Sequence, residues 1–369
     1  MEHLFVPERL TVIREAREWS RKDLADRVGV TPAAITQFEN GDAAPSDETV
    51  RRLADVLGVR PEFFSFTLPT RLTIERCHFR QQRSAGVREK RKVVANGQLR
   101  LEIIERLADY LTFPSVRIRH VSIPVHGATA AVENLAEDLR QEWSLGPGPI
   151  ANMIWLLENL GAVVLELASQ DQQLDAFSGW SSQRPVIFLV SSKSASRRRF
   201  DAAHELGHLL LHSDAIPGDK ILEAQADRFA GAFLLPRAQF EVECPRTLSW
   251  GRFIELKERW NVSLAALVTR AHQLEIFGEA TYRRAYVQLN RRGWRWDEPA
   301  EGEKEQPSLV AQASKSLAQQ GLRIDEILRS SGLSKFDVAS LIEPMASELP
   351  NQPPDPNVIP FARPGARGG

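Results

Sequence analysis

Two stretches of this chain restrict its folding more than any others. In Arg199-Phe200-Asp201-Ala202-Ala203-His204-Glu205-Leu206-Gly207-His208-Leu209-Leu210-Leu211-His212, apolar residues cover most of a helical circumference. Ala202, Ala203, Leu206, Leu209 and Leu210 require a core around that helix, which excludes a surface position. His204 and His208 stand one turn apart and share a face. The second stretch, Leu222 to Pro236, is also apolar around most of its circumference, yet it carries Glu223 and Asp227 one turn apart. A carboxylate on a buried helix needs a partner. The two helices are expected in one core with their polar side chains converging.

That pattern suits a metal ion. Two imidazoles on one face can reach one zinc, and a catalytic zinc takes a third protein ligand while keeping one position open. Glu205, beside the histidines, is suited to act as general base toward a water molecule. Glu223 and His212 compete for the third ligand. His212 lies two turns beyond His204 and converges on the same point less easily, so it reads as a structural or rim histidine. Asp227 is suited to accept the second N–H of a ligating histidine. Arg270, His272, Tyr282 and Tyr286 have the chemistry of oxyanion stabilisers, although each such residue is more often structural.

Residues 7–64 read as short amphipathic helices. Leu10–Trp19, Arg21–Val28 and Pro32–Glu39 follow one another, with Ser20 and Thr31 as caps and Pro32 at a first helical position. Ala25 at a helix crossing, Gly29 in the turn and Ile35 as an apolar anchor have the spacing of a helix-turn-helix. The run Thr31-Pro32-Ala33-Ala34-Ile35-Thr36-Gln37-Phe38-Glu39-Asn40-Gly41, followed by Pro45-Ser46, resembles the XRE family of phage-repressor-like DNA-binding domains. The resemblance implies that Pro32–Glu39 enters the major groove of double-stranded DNA. Thr31, Ala33, Ala34, Thr36 and Gln37 would face base edges, with Gln37 suited to a bidentate pair with adenine. Arg21 and Lys22 are suited to phosphates.

Charge is uneven along the chain. Residues 1–70 hold nine Lys/Arg against twelve Asp/Glu, whereas residues 71–100 hold nine against two. The second segment supplies the positive charge that the first lacks for phosphate contacts. It also contains Cys77 and His78. Cys77 is a candidate gate over the open zinc position, which single-stranded DNA would release, though an exposed basic helix tying two domains together is the simpler reading. Cys244 reads as incidental. Two cysteines make no disulfide framework, no run is long and apolar enough to span a membrane, and the N-terminus lacks the signature of a signal peptide. A cytoplasmic protein with no membrane partner is expected.

The stretch from Leu139 to Leu235 resembles the ImmA/IrrE family of metallopeptidases. Leu139-Arg140 through Gly146-Pro147-Gly148-Pro149-Ile150, the strand before Arg199-Phe200, the His204–His212 run and Glu223 through Pro236 carry the likeness. It implies His204, His208 and Glu223 as zinc ligands, Glu205 as general base and Asp227 behind a ligand. It also implies a gluzincin-like core with a small mixed β-sheet, whose edge strand, Pro185–Val190, holds an extended substrate.

The expected fold class is α+β, predominantly α. The expected domains are a helix-turn-helix at 1–68, a basic helical connector at 69–130 and a peptidase domain at 131–300. A helical appendage at 301–345 and a disordered tail at 346–369 complete the chain. The expected activity is zinc-dependent cleavage of a regulatory protein, a transcriptional repressor, in a stress or mobile-element response. The competing reading is a DNA-binding regulator whose peptidase-like domain senses a ligand such as single-stranded DNA. A homodimer is compatible with the helix-turn-helix.

Overall fold

The computed structural model describes residues 5–68, 87–124, 126, 128–167, 176–181, 184–212, 219–329, 331–334 and 337–338. The expectations for Cys77, His78, the part of the basic run from Arg71 to residue 86 and the tail at 346–369 lie outside these residues.

Four helices and a 3-10 turn open the chain: α1 (Pro7–Ala16), α2 (Arg21–Val28), α3 (Pro32–Asn40), α4 (Asp47–Leu57) and the turn Pro61–Ser65. Their ends follow from local chemistry. The Ser20 hydroxyl accepts from the Asp23 backbone N–H while Asp23 reaches back to the Ser20 N–H, a reciprocal cap. Gly29 closes α2 with a left-handed φ of 74° that a side chain would disfavour. Thr31 caps α3 through the Ala34 N–H. Leu10, Ile13, Leu24, Ala25, Ile35 and Leu53 are fully buried between these helices. One carboxylate ties three of them together: Glu39 of α3 accepts from Arg14 of α1 at 2.5 Å and from Arg21 of α2 at 2.6 Å.

A single helix, α5 (Val87–Leu107), then runs from this domain to the sheet. Its first turns are charged because they pair with the acidic N-terminal domain: Lys92 Nζ lies 3.0 Å from Glu18, Arg91 lies 3.9 Å from Glu15, and Arg88 contacts the Glu18 carbonyl. Further along, a buried pair fixes α5 to α1, with Arg9 donating to both Glu102 oxygens at 2.5 and 3.0 Å.

After α6 (Thr129–Glu142) and α7 (Met153–Asn159) come the strands β1 (Val163–Leu167), β2 (Phe177–Ser181) and β3 (Arg184–Val190). The order is β1-β3-β2, with β1 parallel and β2 antiparallel to β3. The expected substrate-holding strand, Pro185–Val190, is therefore the central strand, not an edge. β1 pairs along Val186–Val190 and β2 along Arg184–Phe188, so most of the strand is paired on both sides; among the described residues the edges are β1 and β2. Alternate residues of the sheet face two different cores. Val163, Leu165, Leu167, Phe177, Val186 and Phe188 join the core containing α5 and the N-terminal domain. Val164, Ile187 and Leu189 face the other core. Burial on both faces explains why β1 and β3 read as nearly continuous apolar runs.

The second core is helical: α8 (Ala195–Leu211), α9 (Lys220–Leu234), α10 (Arg237–Glu243), α11 (Trp250–Trp260), α12 (Leu264–Gln273) and α13 (Glu279–Arg291). An acidic segment crosses the open N-terminal ends of three helices, α7, α8 and α12. Glu298 accepts from the Leu264 N–H and from Lys257 at 2.8 and 2.9 Å; Glu301 accepts from the Ser196 N–H and from Lys257 at 2.6 and 2.5 Å. Glu305 accepts from the Met153 N–H at 2.9 Å and pairs with Arg199. Negative charge at helix N-termini is favourable, and here one extended segment supplies it to α12, α8 and α7. The chain then forms α14 (Leu309–Gln319) and α15 (Ile324–Arg329), whose apolar residues join the N-terminal core rather than the second one. Arg60 N–H donates to the Gly332 carbonyl at 2.8 Å, and Arg17 pairs with Asp337 at 2.7 Å.

Candidate metal centre and active site

The two helices singled out in the sequence pack directly on each other. Gly207 of α8 permits this, because a Cβ there would stand 3.1 Å from the Phe229 ring and 3.3 Å from Ala226 Cα. At this crossing Glu223, in the first turn of α9, is brought to the histidines of α8. His204 Nε2 and His208 Nε2 are 3.0 Å apart, and Glu223 oxygens lie 3.5 Å from each. His204, Glu205 and His208 are each about 1% exposed.

His204, His208 and Glu223 form the group among the described residues whose donor atoms could hold a metal ion. The spacing fits zinc: donors about 2.05 Å from a tetrahedral ion lie roughly 3.3 Å from one another. Both Glu223 oxygens are buried without a hydrogen-bond partner among the described residues, an arrangement that is costly unless a cation completes it. Asp227 accepts from His204 Nδ1 at 2.9 Å, which leaves His204 Nε2 directed at the group.

The charges respond to this crowding. Burial opposes a charged His204, but Asp227, Glu223 and Glu205 outweigh it and raise its pKa to about 9. Burial likewise opposes a charged Glu223, yet the two histidines hold its carboxyl well below the usual range. Burial pushes Glu205 up to about 8 against the pull of His204 and of a Ser178 hydroxyl. Burial lowers the pKa of the His212 imidazole.

Sequence reasoning missed two residues. Ser178 of β2 donates to Glu205 Oε2 at 2.6 Å. Gln225 of α9 accepts from His212 Nε2 at 2.8 Å. Ser178 stands in no motif and Gln225 is no ligand of one, and only the fold brings them to Glu205 and His212. The four oxyanion candidates are engaged elsewhere. Arg270 grips Glu133 with two bonds of 2.6 and 2.8 Å and donates to the Leu235 carbonyl. His272 stacks on Tyr282, and Tyr286 bonds Thr269. Cys244 is buried, and burial pushes its thiol up to about 12.

Residues 157–272 match the family model of the IrrE N-terminal-like domain, a metallopeptidase family, and residues 12–64 match the helix-turn-helix family model. A helix-turn-helix domain is fused here to an IrrE-like peptidase domain. No curated protein matches the chain. The matched peptidase segment contains all of β1 to β3, α8 and α9, and with them His204, Glu205, His208 and Glu223.

In the helix-turn-helix domain, Arg21, Lys22, Thr31, Ala33 and Gln37 are exposed, while Ala34 and Thr36 are half-buried. The Thr36 hydroxyl donates to the Pro32 carbonyl at 3.1 Å. Arg21 is bonded to Glu39, which limits its reach toward a phosphate. No described helix is long and apolar enough to cross a membrane.

Proposed function

We propose that this protein is a zinc-dependent endopeptidase that cleaves a regulatory protein, a transcriptional repressor, in a stress or mobile-element response. The observation that carries the reading is the convergence of His204, His208 and Glu223 at one point, beside a buried Glu205. His204, His208 and Glu223 would hold the ion, which when bound supplies Lewis-acid activation of water and of the scissile carbonyl. Ser178 orients Glu205 through Oε2, so that its other oxygen can take the proton of the attacking water. Asp227 keeps the His204 ring in one orientation. Thr31, Ala33, Ala34, Thr36 and Gln37 would read DNA, with Arg21 and Lys22 on phosphates, which would bring the peptidase to promoter-bound repressors. Incubation with candidate transcriptional repressors tests the activity. Wild type should cut, and Glu205→Gln should cut at least about a hundredfold more slowly. Equal cutting by the two would refute the role of Glu205.

A further inference from the structure

His208 is supported by a different device from the one that supports His204. Its Nδ1 meets His212 Nδ1 at 3.1 Å; His212 Nε2 meets Gln225 Oε1 at 2.8 Å; and Gln225 Nε2 donates to the Pro124 carbonyl at 3.2 Å. His208, His212 and Gln225 are 1, 3 and 8% exposed.

The proton positions in this chain follow from its far end. A carbonyl oxygen can only accept, so Gln225 must turn its NH2 toward Pro124 and its oxygen toward His212. That oxygen can only accept, so His212 Nε2 carries a proton. Of the two His212 tautomers only the Nε2–H form fits this acceptor, and it leaves Nδ1 bare to accept from His208 Nδ1–H. His208 Nε2 is left with its lone pair, facing His204 Nε2 and Glu223 Oε1. The reverse proton order would place N–H on His208 Nε2 and remove it as a ligand.

We infer that Gln225 and His212 are positioning residues that fix His208 in its Nδ1–H tautomer and so aim its Nε2 lone pair at the metal position. This rests on the metallopeptidase reading of the triangle and extends it to two residues outside the ligand set.

The test uses the full-length protein with ¹⁵N-labelled histidine, freed of metal by chelation. Long-range ¹H–¹⁵N spectra separate bare from protonated ring nitrogens. The expected spectrum has Nε2 of His208 bare and Nε2 of His212 protonated. Gln225→Met removes the acceptor, and its zinc affinity, read by competition with a chromophoric chelator, should fall by about ten- to a hundredfold. Gln225→Glu restores an acceptor and should recover most of that loss, a rescue that a purely structural role does not predict. A protonated His208 Nε2 in wild type, which needs no variant to fold, would overturn the inference. So would unchanged zinc affinity in folded Gln225→Met. A wild type with bare Nε2 that takes up no zinc would instead overturn the metallopeptidase reading and leave the tautomer assignment standing.

Discussion

The Ser178 hydroxyl and the Glu205 carboxylate meet at 2.6 Å, linking the antiparallel edge strand β2 to the helix that carries both histidines. Ser178 is fully buried, so its bond to Glu205 is shielded from competing water. Ser178→Ala should leave zinc content unchanged and lower the cleavage rate by about tenfold, since a base that loses its orientation is no longer held for attack. Parallel metal analysis and cleavage assays check both halves of this expectation.

The same sheet meets α5 on its other face. A Cβ on Gly97 would stand 2.8 Å from the Phe188 ring, which is itself fully buried and stacked on Phe177 at 4.5 Å. Glycine to alanine in a helix interior ordinarily stabilises by about 1 kcal/mol. Here the overpacking should outweigh that gain, and Gly97→Ala should cost about 1–2 kcal/mol net. Denaturant unfolding of the two proteins measures it, and a more stable variant would show that the contact relaxes freely.

Legibility in the sequence followed the physics of each element. The α8 and α9 pattern was readable because ligand spacing and helical period coincide, and α2 and α3 because their caps are local. β2 was not readable: Phe177-Ser-Gly-Trp-Ser181 has little apolar alternation, and its strand form depends on pairing with β3. The assignment of Pro185–Val190 as an edge failed because strand order is a tertiary property. The first half of α5 resembled a solvated basic run because its partners, Glu15 and Glu18, lie in another part of the chain. His212 was recognised as something other than a ligand, but its bond to His208 emerges only with Gln225 in place.

Glu158 gives a pH signature. Burial pushes its carboxyl up to about 7, against hydrogen bonds from the Ser308 hydroxyl and the Leu309 and Ser308 N–H groups. In the unfolded chain it titrates near its ordinary 4.5. Between those values the folded protein holds a proton that the unfolded chain has lost, so this group favours folding at low pH and its contribution declines as pH rises through about 7. Stability measured from pH 4.5 to 8 should therefore fall more steeply with pH in wild type than in Glu158→Gln. Parallel curves would contradict the assignment.

At the other end of the molecule, Gln37→Ala should cost about 1–3 kcal/mol at one base position and leave the remaining positions unchanged. Selection from random duplexes reads this directly. Loss of preference at every position would mean that Gln37 supports the helix rather than reading a base.

The metal centre itself admits the plainest measurement. Elemental analysis after gentle purification should find one zinc per chain in wild type and in Glu205→Gln, and loss of zinc in His204→Ala and Glu223→Ala, whose side chains supply corners of the triangle. A wild-type protein without metal, or zinc retained in full by His204→Ala, would contradict the account.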